Sequence, residues 1–245
     1  MLISNNKFKR NSMYYSLIFV ACFALGLINI GEKILEYSHY GVVICSLDAL
    51  IEMTMIIYSN VFINTIIIII YISMKLRLYL DNSLMAYGSR FNFLKKLVWD
   101  SFVDSLLVSF LQVLSTYAVC ILYQMRIYNW NKVNSTYYLF NQEKGTIIYG
   151  CVVFVVFLVI FIWNLFIRLI ATASYYYFEK KIITTLITLL VWVLASFNFW
   201  SVQGKLSYVK WINYNYQSVL IALIWLLVCF VVVFGAFKLK KGKRK

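Results

Sequence analysis

Three ionisable side chains stand inside long apolar stretches of this 245-residue chain. Asp100 and Asp104 are one turn apart on one face of a predicted helix, and Arg168 lies at similar depth in the next, antiparallel one. Because charges are costly in hydrocarbon, such residues form an ion or proton site, a polar hinge or a structural pair. Alternatively, Asp100 stays at the headgroups beside Lys95 and Lys96, while Arg168 extends its head to the interface. We favour a salt bridge between Arg168 and one aspartate over ion conduction.

Other residues with reactive or ligating side chains are few. Asn60 and Asn64, also one turn apart, are expected to hydrogen-bond to a neighbouring helix. The single histidine, His39, lies in a connector and is interpreted as a surface residue. The sequence has no nucleophile-elbow motif, no His-Glu-x-x-His pair and no P-loop. We therefore expect no enzymatic activity, no catalytic residue, no metal site and no cofactor in the chain itself.

The composition indicates which elements must position these side chains. Hydrophobic residues make up 63 % of the chain and charged residues 13 %, against about 45–50 % and about 25 % in soluble domains. This apolar excess excludes a soluble enzyme, a disordered tail and a disulfide scaffold. The chain also has no proline, which favours whole helices over kinked or broken ones.

Six segments are long and apolar enough to cross the roughly 30 Å hydrocarbon core as helices. Continuously apolar runs argue against barrel strands, in which apolar and polar residues alternate. The predicted fold is therefore all-α, a polytopic membrane protein with one transmembrane domain over residues 1–245. Val42–Leu50 is interpreted as a short interfacial helix before the second span. The predicted spans cover residues 13–30, 53–73, 97–123, 147–173, 182–200 and 219–237.

The distribution of charge predicts the orientation. Most of the 23 lysines and arginines lie in the N-terminal arm, in two of the predicted connectors and in the C-terminal tail. By the positive-inside rule these segments, and so both termini, are cytoplasmic. The net charge of +14 is then a topological signal that suits anionic lipid, and we expect no nucleic-acid partner. The abundance of Ile, Asn, Lys, Tyr and Phe favours a low-GC bacterium, with the chain in its cell membrane.

The longest predicted cytoplasmic connector runs from Lys75 to Lys96. A short helix over residues 81–90 would be capped at its start, apolar on one side and ended by a glycine. Such an element can dock into a groove of a partner protein or lie on anionic lipid as a basic loop. The residues concerned are Asp81, Asn82, Leu84, Met85, Tyr87, Gly88, Ser89 and Arg90.

An Ile-rich second span, followed by Tyr87-Gly88-Ser89-Arg90 and then Phe91–Lys96, resembles bacterial ABC-type exporter permeases. More specifically, it is similar to the small six-span permeases that export, or give immunity to, bacteriocins and other antimicrobial peptides. The resemblance covers the whole chain in topology but only this connector in motif. The short linker at 201–218 departs from the family, because it leaves little room for a large outer domain.

The resemblance implies that residues 81–90 are a coupling helix that docks on an ATP-binding cassette subunit, which holds ATP and Mg²⁺. It also implies that a second permease copy, or a homologous permease, encloses a pathway for an amphipathic peptide. Two other classes stay open. One is an ion-coupled carrier or channel that uses Asp100 and Asp104, and the other is a non-transporting immunity protein that binds a peptide directly.

Overall fold

The computed structural model of the chain describes residues 2–55, 57–76, 90–145, 148–178 and 180–197, with the single positions 224, 227, 231 and 235. This part of the chain is helical and contains no β-strand, only isolated bridges, which confirms the predicted all-α class. The helical segments are α1 (Leu2–Ser38), α2 (Ser46–Met55), α3 (Ile57–Met74), α4 (Arg90–Leu122), α5 (Thr136–Asn141), α6 (Tyr149–Phe178) and α7 (Lys181–Phe197).

Three of these helices have the length and apolarity needed to cross a membrane: α1 from Asn11 to Ser38, α4 from Lys95 to Leu122, and the whole of α6. They coincide with the predicted spans at 13–30, 97–123 and 147–173. Helix α1 continues to Ser38 and α6 to Phe178, beyond the predicted limits, because hydropathy marks only the apolar part of a helix. Shorter apolar stretches occur in α3 and α7. Nearly all of the predicted span at 219–237 lies outside the described residues.

The polarity of the helix faces is the reverse of that in a water-soluble bundle. Helix α4 buries serines and exposes large apolar residues, and α7 buries threonines and exposes aliphatic residues. Small polar residues at helix contacts with apolar residues outside are typical of helices that pack in lipid. The buried residues are Ser101, Ser105, Ser109, Thr184 and Thr188, and the exposed ones are Phe102, Leu106, Phe110, Ile182, Leu186 and Leu190.

The described helices pack as a ring, in which α4 contacts α1 and α6, α7 contacts α6 and α3, and α3 contacts α1. Helix α6 is the most enclosed, because every residue from 162 to 173 is buried. Tyr14 and Asp104 lie in the first halves of α1 and α4. They contact Lys75, just after α3, and Arg168, in the second half of α6. Helices α1 and α4 therefore run in one direction, and α3 and α6 in the other. We call this end of the bundle the cluster end.

At the opposite end, α2 packs among α1, α4 and α6. Within the predicted interfacial segment Val42–Leu50 the helix begins at Ser46, and residues 44–51 are buried against the bundle; the position of the segment at the membrane interface stays a prediction. Asp48 can be fully buried here because its carboxylate has donors: Trp130 Nε1 donates to Oδ1 at 2.6 Å, and the Cys45 backbone N–H donates to Oδ2 at 2.8 Å. The loop between α4 and α6 thus closes over the start of α2.

Candidate functional site

The buried carboxylate of Asp104 is the centre of a polar cluster that joins four segments of the chain. Its Oδ2 accepts from Arg168 Nε at 2.7 Å and from the Tyr14 hydroxyl at 2.9 Å. Its Oδ1 accepts from the Tyr15 hydroxyl at 2.8 Å and lies 3.1 Å from Lys75 Nζ. We call Tyr14, Tyr15, Lys75, Asp104 and Arg168 the ion cluster.

Arg168 is held on every side of its guanidinium. The side chain is 1 % exposed, and Nη1 donates to the backbone oxygen of Asn164 at 3.1 Å and to its Oδ1 at 3.2 Å. Nη2 donates to the Tyr14 hydroxyl at 3.2 Å, and Cζ lies 5.2 Å from the centre of the Tyr71 ring. Arg168 therefore does not extend to the membrane interface, and that sequence-based alternative is wrong.

Lys75 brings a second cation to the same carboxylate. Its Nζ lies 4.9 Å and 4.8 Å from the ring centres of Tyr14 and Tyr15 and donates to the Tyr15 hydroxyl at 3.3 Å. With Lys75 and Arg168 charged and Asp104 ionised, the ion cluster carries one excess positive charge. The negative faces of the two tyrosine rings offset part of this excess.

The ion cluster lies where the predicted connector begins. Lys75 directly follows α3 and Arg90 begins α4, so both ends of the connector belong to helices that the cluster joins. Asp104 is eight residues beyond Lys96, which at 1.5 Å per residue places it about 12 Å further along α4. The cluster is thus inside the bundle, within a few turns of the connector.

The structure separates the two aspartates that the sequence placed on one face. The expected salt bridge of Arg168 forms with Asp104, at 2.7 Å and 3 % exposure of the Asp104 side chain. Asp100 instead pairs with Lys96 one turn before it, at 2.5 Å, with 22 % of the Asp100 side chain exposed. Asp104 is therefore paired in the interior of the bundle, whereas Asp100 belongs to a partly exposed pair.

Of the other predicted site residues, the structure describes only some. Asn64 is buried and lines an interior cavity, whereas the side chain of Asn60 lies outside the described part. Residues 81–89 also lie outside the described residues, and Arg90 is described only as the start of α4. The docking role of residues 81–90 therefore stays a prediction.

Sequence reasoning missed Tyr14, Tyr15 and Lys75. Lys75 was counted among the connector charges and the tyrosines as the start of an apolar span, because a linear pattern does not show which side chains turn inward. The signal that could have found them is depth: both tyrosines lie near the cluster end of α1, level with Asp104 on the parallel helix α4. Asn164, one turn before Arg168, was likewise not singled out.

The ion cluster is suited to holding helices together. Each oxygen of Asp104 already has two contacts, so a bound cation would have to displace some of them. Among the described residues, no three His, Cys, Asp or Glu side chains are grouped to hold a metal ion. Comparison of the chain with protein families, curated proteins and solved structures finds no match to any of them.

Proposed function

We propose that this chain is the transmembrane permease subunit of an ATP-driven exporter that moves an antimicrobial or other amphipathic peptide out of the cell or membrane. A separate ATP-binding cassette subunit binds the connector at residues 81–90 and supplies the energy. In this proposal the chain has six spans, with 219–237 as the sixth, and the cluster end and both termini face the cytoplasm. The resemblance of the connector to exporter permeases and the position of the ion cluster support it.

The observation that carries the proposal is the contact of Lys75 with Asp104 beside the connector. A partner that moves the connector pulls on the ends of α3 and α4, which flank it. The ion cluster transmits this pull to α1 through Tyr14 and to α6 through Arg168. Moving Arg168 away from Asp104 would leave buried charges poorly compensated, which is costly, so in this proposal the four segments tilt together.

The pathway needs a second copy of the chain or a homologous permease. The described helices pack closely, with every residue of α6 from 162 to 173 buried, which leaves little room for a peptide within one copy. A peptide therefore passes between two subunits, along faces of aromatic and aliphatic side chains. Exposed apolar residues on α4 such as Trp99, Phe102 and Phe110 suit such a face or the lipid around it.

The ion-coupled alternative is weaker on the same contacts. A carrier carboxylate must exchange its ligands during transport, whereas Asp104 is enclosed by four donors. Asp100 is paired with Lys96 near the predicted interface. The immunity alternative involves neither transport nor an ATPase, so recovery of an ATPase with the chain separates it from the exporter.

The proposal is tested by isolating the tagged full chain from the membranes of its own cell in mild detergent and assaying the P-loop ATPase that co-purifies. We expect this subunit to be lost when residues 81–90 are scrambled and reduced by Arg90→Glu. The matched control is Lys132→Glu, an exposed lysine at the opposite end, which should retain the subunit. Equal recovery by the scrambled chain, or no ATPase with the unaltered chain, would overturn the proposal.

A further inference from the structure

A cavity inside the bundle has a polar lining that the ion cluster does not explain. It lies between α1, α2, α3, α4 and α6 and is lined in part by Asn64, Gln112, Ser115, Thr116 and Asn164. The centre of a water molecule can occupy about 30 Å³ of it, enough for about two waters. Five polar side chains thus surround one small space in the interior of the bundle.

Trp163 supplies a second, independent observation. This residue lines the same cavity and is 4 % exposed, and its Nε1–H has no hydrogen-bond partner among the described residues. Buried donors are nearly always paired, either with protein or with an ordered molecule. An acceptor located in the cavity would satisfy this N–H.

The remaining lining favours a neutral occupant that also donates. The hydroxyls of Ser115 and Thr116 both donate to the backbone oxygen of Gln112, at 2.8 Å and 2.9 Å, and their oxygens keep the capacity to accept. No Asp, Glu, Lys, Arg or His occurs among the described residues of the lining. A charged ligand would therefore be buried there without a counter-ion, which is strongly unfavourable.

We propose that this cavity is a binding site for a small neutral group that accepts a hydrogen bond from Trp163 and donates to the hydroxyl oxygens. Water and the amide group share this chemistry. The site is connected to the ion cluster, because Asn164 Nδ2 donates to Gln112 Oε1 at 2.7 Å while Asn164 Oδ1 accepts from Arg168. The inference does not depend on whether the chain is driven by ATP.

The test is NMR spectroscopy of the full chain in lipid nanodiscs, with ¹⁵N-labelled tryptophan. The Trp163 indole signal is assigned by its loss in Trp163→Phe. We expect a cross-peak between this N–H and water, and a saturable shift when formamide, an amide of about the volume of two waters, is added. Trp192 is the internal control, because its ring centre lies 5.0 Å from that of Trp163 and it is fully buried, yet it does not belong to the cavity lining.

The two sources of the ligand give different results. A water cross-peak without an amide shift assigns water as the occupant, and a saturable shift assigns an amide site. Thr116→Val keeps the volume and removes an acceptor, so it should weaken the formamide response several-fold, whereas Thr185→Val on α7 should not. Absence of both signals at Trp163, or equal signals at Trp192, would overturn the inference.

Discussion

Arg168 donates from Nε to Asp104 Oδ2 across 2.7 Å, although the two residues are 64 positions apart in the chain and both side chains are almost fully buried. This contact joins α6 to α4, and Lys75 and Tyr14 extend it to the end of α3 and to α1. One carboxylate thus fixes the relative positions of four segments at the cluster end.

Loss of the arginine should therefore destabilise the bundle strongly. Arg168→Met removes the donors to Asp104, Asn164 and Tyr14, although Lys75 still offsets the charge of Asp104. We expect the free energy of unfolding to fall by about 3 kcal/mol. The matched control is Asp100→Asn on the same helix, which breaks a partly exposed pair with Lys96 and should cost less than about 1 kcal/mol. Denaturant unfolding of the purified chain in micelles measures the unfolding free energy of both variants. Equal losses would show that the buried pair stabilises the chain no more than the partly exposed one.

Lys75 should matter less than Arg168 for stability. Lys75→Met removes the excess positive charge and leaves Asp104 and Arg168 as a neutral pair, with only the contacts of Nζ lost. We expect a loss of about 1–2 kcal/mol, clearly smaller than that of Arg168→Met in the same unfolding assay. A loss as large as that of Arg168→Met would instead identify Lys75 as the principal counter-ion.

The hydrogen bond from Trp130 to Asp48, at the end of the bundle opposite the ion cluster, can be tested by removing its donor. Trp130→Phe removes the Nε1–H that donates to Asp48 at 2.6 Å, and a hydrogen bond to a charged group contributes about 1.5–3 kcal/mol. Trp99→Phe is the control, because Trp99 is 60 % exposed and its change should stay within about 0.5 kcal/mol. Thermal unfolding followed by circular dichroism compares the two, and a similar midpoint for both variants would contradict the assigned role of Trp130.

Stability should also depend on pH through Asp48. Burial raises the pKa of this carboxyl above its ordinary value of 3.8, and the hydrogen bonds from its neighbours offset only part of the rise. The folded chain therefore holds this proton more tightly than the unfolded chain does. The contribution of Asp48 to stability is present below the unfolded pKa and is lost as pH rises through the raised folded pKa.

Asp48→Asn should remove this dependence. The measurement is the difference in unfolding free energy between the unaltered chain and the variant, taken from pH 4 upward. We expect the unaltered chain to lose stability relative to Asp48→Asn as pH increases. A difference that stays constant, or that changes in the opposite direction, would show that burial does not disfavour the ionised form of Asp48.

Hydropathy predicted the all-α class and the three long apolar helices, because a run of apolar residues of sufficient length has few alternatives to a helix in lipid. The orientation predicted from charge stays a prediction. The pairing of Arg168 with an aspartate was also predictable, since a lone arginine at that depth needs a counter-ion. Which aspartate it would choose was not. Asp100 and Asp104 are only one turn apart, and the rotation of α4 that turns Asp104 inward is set by packing against α1 and α6.

The membership of Tyr14, Tyr15 and Lys75 in the ion cluster could not be predicted from the sequence for a related reason. A lysine after an apolar helix reads as a surface charge unless the neighbouring helices are known to enclose it. Here the rings of Tyr14 and Tyr15 cover its Nζ, and these residues come from a helix 60 positions earlier in the chain. The burial of Asp48 was hidden in the same way, because its donor Trp130 is 82 positions away.

The central claim, that ATP hydrolysis by a bound subunit drives this chain, is tested most directly on the purified complex in lipid vesicles. We expect vanadate-sensitive ATP hydrolysis to co-purify with the chain. An amphipathic peptide should change the rate of this hydrolysis, and the Lys75→Met variant should lose that response to peptide. Transport of protons or sodium ions by the chain alone, without ATP and abolished by Asp104→Asn, would contradict the claim.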